Sequence, residues 1–266
     1  MKKLLTLLLV IMLFQPYSVL AINPNSLDLE STSSQYASVA DTVPLSITGD
    51  LSLEAWINLE SLPANNGEMV IAGKGQTDST FADYSINVLN DAGNLYFRAV
   101  ITDNGNAAFA VACSAGADPA TATWQHFAIT FIAAGGANTS RCFINGAFIE
   151  AANSGAKTID NSASAFYVGQ EGDTSKFFDG LVDDVRVWNV ARTDTQISDN
   201  YNCALAGTES NLVGYWKLDD NYNDSTSNAA NLTASGAPVF STTVNFTADC
   251  GAGGAPPTVA NIIWFE

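Results

Sequence analysis

Ser52-Leu-Glu-Ala-Trp-Ile-Asn-Leu59 alternates: Leu53, Ala55, Ile57 and Leu59 fall on one side of an extended chain, and Trp56 falls on the other. Successive side chains of a strand point to opposite faces, so a period of two marks a strand with one face committed to a core. Similar runs follow at Tyr84–Leu89, Asn94–Ile101, Phe109–Cys113, His126–Ile132, Cys142–Ile149, Ala165–Gly169 and Asp183–Trp188. They are short and rich in β-branched and aromatic residues, which fit a pleated, half-buried surface. Turn signals separate them: Asn65-Asn66-Gly67, Asp91-Ala92-Gly93, Gly135-Gly136 and Asn145-Gly146. Asn-Gly tolerates the positive φ that a two-residue hairpin demands. Short strands at this spacing predict an all-β fold, an antiparallel two-sheet jelly-roll sandwich. One short helix is expected at Thr193–Asn200, where a capping threonine precedes Gln196 by three positions.

The chain has 266 residues, 47% of them hydrophobic, enough for one large domain with a substantial core. Its charge is lopsided, with 10 basic residues against 27 acidic ones. Such a surface repels phosphate backbones and argues against a nucleic-acid partner. Surplus carboxylate is what a hard cation such as calcium requires.

The N-terminus reads as a signal peptide over residues 1–21. Lys2 and Lys3 are followed by an apolar run from Leu4 to Phe14, broken by Thr6, and then by the small-residue site Val19-Leu20-Ala21. That run is short for a membrane span, and no later stretch is apolar enough to make one. The expected domain is 22–250, with 251–266 a Gly/Pro-rich linker or tail. Four cysteines in an exported chain suggest two disulfides, for which three pairings exist. We favour Cys113–Cys142, both in strand-like segments, and Cys203–Cys250, which bracket the C-terminal segment. Thiolate metal binding is disfavoured, because there is no CxxC pair and His126 is the lone histidine.

Several blocks resemble, in order, the laminin-G-like jelly-roll family of the concanavalin A-like lectin and pentraxin superfamily. They are Ser26–Leu29 through Tyr36–Val39, Leu53–Ile57, Trp124–Thr130, Phe143–Gly146, Phe178–Asn189, and Leu212–Leu218 with Asn223–Ser225. The resemblance covers roughly residues 26–246. It implies a secreted or cell-surface recognition module. Trp56, Trp124, Trp188 and Trp216 would pack between the sheets, and His126 would be structural.

Val168-Gly-Gln-Glu-Gly-Asp173 is similar to the stretch that supplies calcium ligands in pentraxins. The resemblance implies carboxylates from Glu171 and Asp173 and the carbonyl of Gly172, joined by Asp83 and, across a shortened loop, Asp179. Loops at one rim of a sandwich would bring these together. A second acidic group, Asp183 and Asp184 with Asp219, Asp220 and Asp224, is the weaker candidate. The glucanase branch of the superfamily would imply Glu-x-Asp-x-x-Glu on one strand. Glu171-x-Asp173 supplies its first half and Lys176 breaks it, so the reading is of a binding module without catalysis. Expected partners are a glycan, with Tyr84, Phe177 and Phe178 as aromatic candidates, or an extracellular protein in an adhesion role. An accessory domain of a polysaccharide-degrading enzyme is the further alternative.

Overall fold

The structure, a computed structural model, describes residues 25–75, 82–103, 108–113, 118–172, 175–243 and 250. The expected signal peptide and C-terminal tail lie outside them. In chain order the strands are β1 (Ser26–Leu29), β2 (Tyr36–Val39), β3 (Leu51–Leu59), β4 (Glu68–Lys74), β5 (Tyr84–Asp91), β6 (Asn94–Thr102), β7 (Ala108–Cys113), β8 (Trp124–Phe131), β9 (Gly136–Ile144), β10 (Ala147–Ser154), β11 (Phe166–Val168), β12 (Gly180–Trp188), β13 (Leu212–Trp216), β14 (Thr233–Ser235) and β15 (Val239–Ser241). Helix α1 spans Asp194–Asn200.

These strands form two antiparallel sheets. One has the order β10-β9-β8-β3-β12-β1-β15, with β13 also paired to β12; the other runs β14-β2-β11-β4-β5-β6-β7. Leu53, Ala55, Ile57 and Leu59 of β3 point inward, each fully buried, as the alternation requires. They meet Ile86, Val88, Phe97 and Phe166 of the facing sheet in one core. Asn145 and Gly146, both at positive φ, close the β9–β10 hairpin. Both expected disulfides are formed. Cys113–Cys142 joins β7 of one sheet to β9 of the other, so it crosses the sandwich. Thr193 caps α1 reciprocally with Gln196, as the sequence predicts.

The tryptophans correct one expectation. Trp216 does lie between the sheets, stacked on Phe166 with centroids 4.9 Å apart. Trp56 and Trp188 are buried instead on the outer face of the eight-stranded sheet. Each shares its parity with Glu54, opposite to the inward leucines, and α1 with the 201–205 segment covers them. Trp124 is only partly buried.

Candidate functional site

The outer face of the eight-stranded sheet carries a polar hub around Glu54. Its carboxylate accepts from Trp188 Nε1 at 2.8 Å, Arg192 Nη1 at 3.1 Å and the ring of His126 at 3.2 Å. A bulge in β12 between Asp183 and Arg186, with Asp184 at φ 48°, turns Asp184 onto this face beside Arg186 and Tyr215. Arg186 also donates to the carbonyls of Asn200 and Cys203, tying sheet to helix. Burial alone would push the Glu54 carboxyl up; the Arg192 and Arg186 guanidiniums and the His126 hydrogen bond outweigh it and hold it below the usual carboxylate range. Burial pushes His126 down, so at neutral pH its uncharged ring donates through Nε2 to the ionised Glu54. Glu54 and His126 have the chemistry of an acid–base pair, but they are 0% and 1% exposed and touch no solvent. The hub joins the sheet to α1 and the 201–205 segment.

The residues predicted to hold calcium separate into three places. Asp83 is buried and accepts from Lys74 Nζ and from the Ser162 backbone and hydroxyl, each at 3.0 Å. Glu171 is hydrogen-bonded by Lys176, whose ammonium also lies 2.7 Å from Glu68. Lys74 and Glu68 are the two ends of β4. At about 3.3 Å per residue they stand roughly 20 Å apart, so Asp83 and Glu171 do not share an ion. This corrects the expectation that they meet at one rim. The carboxylate of Glu171 already has an ammonium for its counter-ion, which makes it a poor calcium donor as it stands. Gly172 follows it in the same loop, and Asp173 lies outside the described residues. In the second acidic group, Asp224 organises a turn, accepting from Tyr215 N, Thr226 N and Ala230 N. Asp219 and Asp220 accept from Asn25.

Asp179 joins a different cluster. Its carboxylate accepts from Ser31 N at 2.9 Å and Ser61 Oγ at 2.5 Å, and it adjoins Asp28, Glu30 and Glu60. Asp28, Glu30 and Glu60 each place a carboxylate oxygen within 4.8 Å of the others. The register aligns Leu29 with Gly180 and Gly180 with Leu59, so residues just beyond these strand ends converge. Burial and the neighbouring Asp179 raise the Asp28 carboxyl; burial and the charges of Asp28, Glu30 and Asp179 raise that of Glu60. Asp28 Oδ1 is shielded from solvent without a hydrogen-bond partner. This donor set, hard oxygens crowded together with no lysine or arginine paired to them among the described residues, fits a calcium-sized cation.

At the same end of the sandwich, on the outer face of the seven-stranded sheet, three rings lie together. Tyr36 is 6.0 Å from Tyr167 and 6.4 Å from Phe177, centroid to centroid, and all three are partly exposed. Ser38 lies opposite both Tyr167 and Thr233, and Tyr36 opposite Ser235, so three hydroxyls share the face. Of the aromatic candidates read from the sequence, Phe177 belongs here. Tyr84 and Phe178 are fully buried in the core.

All eight lysines and arginines beyond Lys3 lie among the described residues, and each is engaged internally. Lys74, Arg98, Arg141, Lys157, Lys176, Arg186 and Arg192 form ion pairs, and the Lys217 ammonium rests 5.5 Å from the centre of the Tyr215 ring.

Two antiparallel sheets packed as a sandwich have the form of the concanavalin A-like jelly roll. The sequence agrees: residues 31–198, more than half of the chain, match the laminin-G-like family described as the concanavalin A-like lectin/glucanases superfamily, and the chain belongs to it. No curated protein matches it. Among solved structures it resembles a candidate carbohydrate-binding protein from Bacteroides ovatus at 21% identity and a TM-score of 0.59, covering 82% of this chain and 59% of that one. It resembles the heptameric SAP-like pentraxin of Limulus polyphemus at 15% identity and a TM-score of 0.60, covering 88% of this chain and 100% of that one. A third neighbour is the CBM40 of the Ruminococcus gnavus IT-sialidase, bound to α2,3-sialyllactose, at 10% identity and a TM-score of 0.50, with 65% and 94% covered. At these identities the likeness is one of fold. Among the described residues no helix is long and apolar enough to cross a membrane.

Proposed function

We propose that this protein is a secreted carbohydrate-binding module, with the patch around Tyr36, Tyr167 and Phe177 as its sugar-binding face and a structural calcium at Asp28, Glu30 and Glu60. The observation that carries the reading is the patch itself. Three partly exposed rings beside three hydroxyls offer apolar faces for the C–H surface of a sugar and hydrogen bonds for its hydroxyls. Glycan-binding proteins among the structural neighbours make a saccharide the natural class of ligand on this fold. A calcium at the rim would brace the turn that leads from Glu30 into Tyr36 and the junction that leads from Phe177 into Asp179. The two elements that present rings would then be held in register. The chain's own carboxylates would supply ligands and the ion a fixed charge; sugar contacts would remain with the rings and hydroxyls.

The test is a glycan microarray probed with the mature chain and with Tyr36→Ala/Tyr167→Ala. Binding to one or more glycans by the parent, lost in the double variant while its melting temperature stays within a few degrees, is the expected result. An array that captures neither protein removes the carbohydrate reading and leaves an adhesion domain that contacts protein.

A further inference from the structure

We infer that the ligand of the Tyr36–Tyr167–Phe177 patch is an uncharged glycan, bound without metal. This inference rests on the carbohydrate reading and narrows it. Two observations carry it, and both concern charge.

The first is the composition of the patch. Along one row, Thr233, Ser38 and Tyr167 lie directly opposite one another on β14, β2 and β11; in the next, Ser235 faces Tyr36, with Phe177 against its ring. These six side chains are rings and hydroxyls, and none carries charge at neutral pH. An anionic sugar needs a guanidinium, an ammonium or a fan of backbone N–H groups to replace the water its carboxylate or sulfate gives up. A neutral pyranose needs apolar area and hydroxyl partners, which the patch supplies.

The second is the fate of the cations. A chain with 27 acidic residues keeps eight basic ones beyond Lys3 and commits them to its own carboxylates and, for Lys217, to a ring. Lys176, which precedes Phe177, and Lys74, paired with Phe166 beside Tyr167, are held by Glu68 with Glu171 and by Asp83 with Asp41. A guanidinium or ammonium freed to meet an anion would leave one of these carboxylates unpaired, several of them buried. The acidic rim at the same end of the sandwich adds a field that disfavours anions further.

The experiment is affinity electrophoresis of the mature chain at low ionic strength in EDTA. One arm uses neutral polysaccharides (β-glucan, xylan, mannan, arabinan). The other uses acidic saccharides: polygalacturonate, alginate and heparin in the gel, and α2,3-sialyllactose by calorimetry. The expected result is retardation by at least one neutral polymer, weakened tenfold or more by Tyr167→Ala and largely restored by Tyr167→Phe, with the acidic arm inert. Binding in the acidic arm with the neutral arm inert overturns the inference while the carbohydrate reading survives. Neutral binding that calcium restores even in Asp28→Asn/Glu60→Gln, where the rim ion is gone, or that persists in Tyr36→Ala/Tyr167→Ala, also overturns it. Silence in both arms, with and without calcium, removes the carbohydrate reading beneath it.

Discussion

Glu54→Gln replaces the centre of the buried hub by a neutral side chain of the same shape. The parent carboxylate answers Arg192 at 3.1 Å, Arg186 at 4.0 Å, His126 and the Trp188 indole, and none of these is more than 6% exposed. Glutamine keeps one acceptor oxygen but removes the negative charge. Arg192 then retains Asn200 and the face of Trp188, and Arg186 retains Asp184. Deleting one partner of a buried ion pair costs about 3–5 kcal/mol, because the other is left uncompensated. For a domain of this size each kcal/mol moves the melting temperature by roughly 2–4 °C, so we expect a fall of about 10 °C at pH 7. Calorimetry of the parent, Glu54→Gln, Arg192→Met and the double variant forms a cycle. The double variant should lose much less than the sum of the singles, because it removes both charges together. A fall below about 3 °C for Glu54→Gln, or strict additivity, would refute the claim that this carboxylate holds α1 to the sheet.

Three further outcomes follow from the geometry. Burial, with the charges of Asp184 and Asp220, pushes the Asp219 carboxyl up to about 7 against the opposing Asn25 N–H and Lys217. The unfolded value is about 3.9, so the native state holds the proton more tightly and stability falls as pH rises between roughly 4 and 7. Asp219→Asn should remove that slope and, after discounting for partial exposure, gain about 1 kcal/mol at pH 8 in urea titrations. Millimolar calcium should raise the melting temperature of the parent by roughly 5–10 °C if it reaches about 100 times Kd, and Asp28→Asn/Glu60→Gln should abolish the rise; an unchanged rise in that variant would move the ion elsewhere. Cys113→Ser/Cys142→Ser opens a bond across 29 residues of chain, worth about 3–4 kcal/mol of loop entropy, and non-reducing denaturant curves should record that loss.

The strands that bury one face were legible in the sequence, because alternation leaves a period of two. β4 was not: Met69, Val70, Ile71 and Ala72 are all buried, so Glu68–Lys74 shows no alternation to read. The three-residue β14 and β15 are too short to carry a pattern, yet β14 contributes the hydroxyls of Thr233 and Ser235. At the site, the acids of 168–173 drew the eye because they are consecutive, and the lysine that neutralises Glu171 stands five residues on. Asp28, Glu30 and Glu60 meet only through the alignment of β1, β12 and β3, which local spacing does not encode. Tyr36 and Tyr167 are 131 positions apart in sequence and become neighbours through a crossing between non-consecutive strands.

The covering of Glu54, Trp56, His126 and Trp188 by α1 and the 201–205 segment has a consequence for valency. On the proposed reading, a sandwich with the middle of one broad face sealed would offer a polymer its other broad surface, so one copy would hold one stretch of chain. Tight retention on an extended polysaccharide would then come from several copies sharing a support, where a second contact forms at millimolar effective concentration and avidity exceeds single-site affinity by about 10²–10⁴. The helix that hides the hub would make the strength of attachment a matter of how densely the module is displayed.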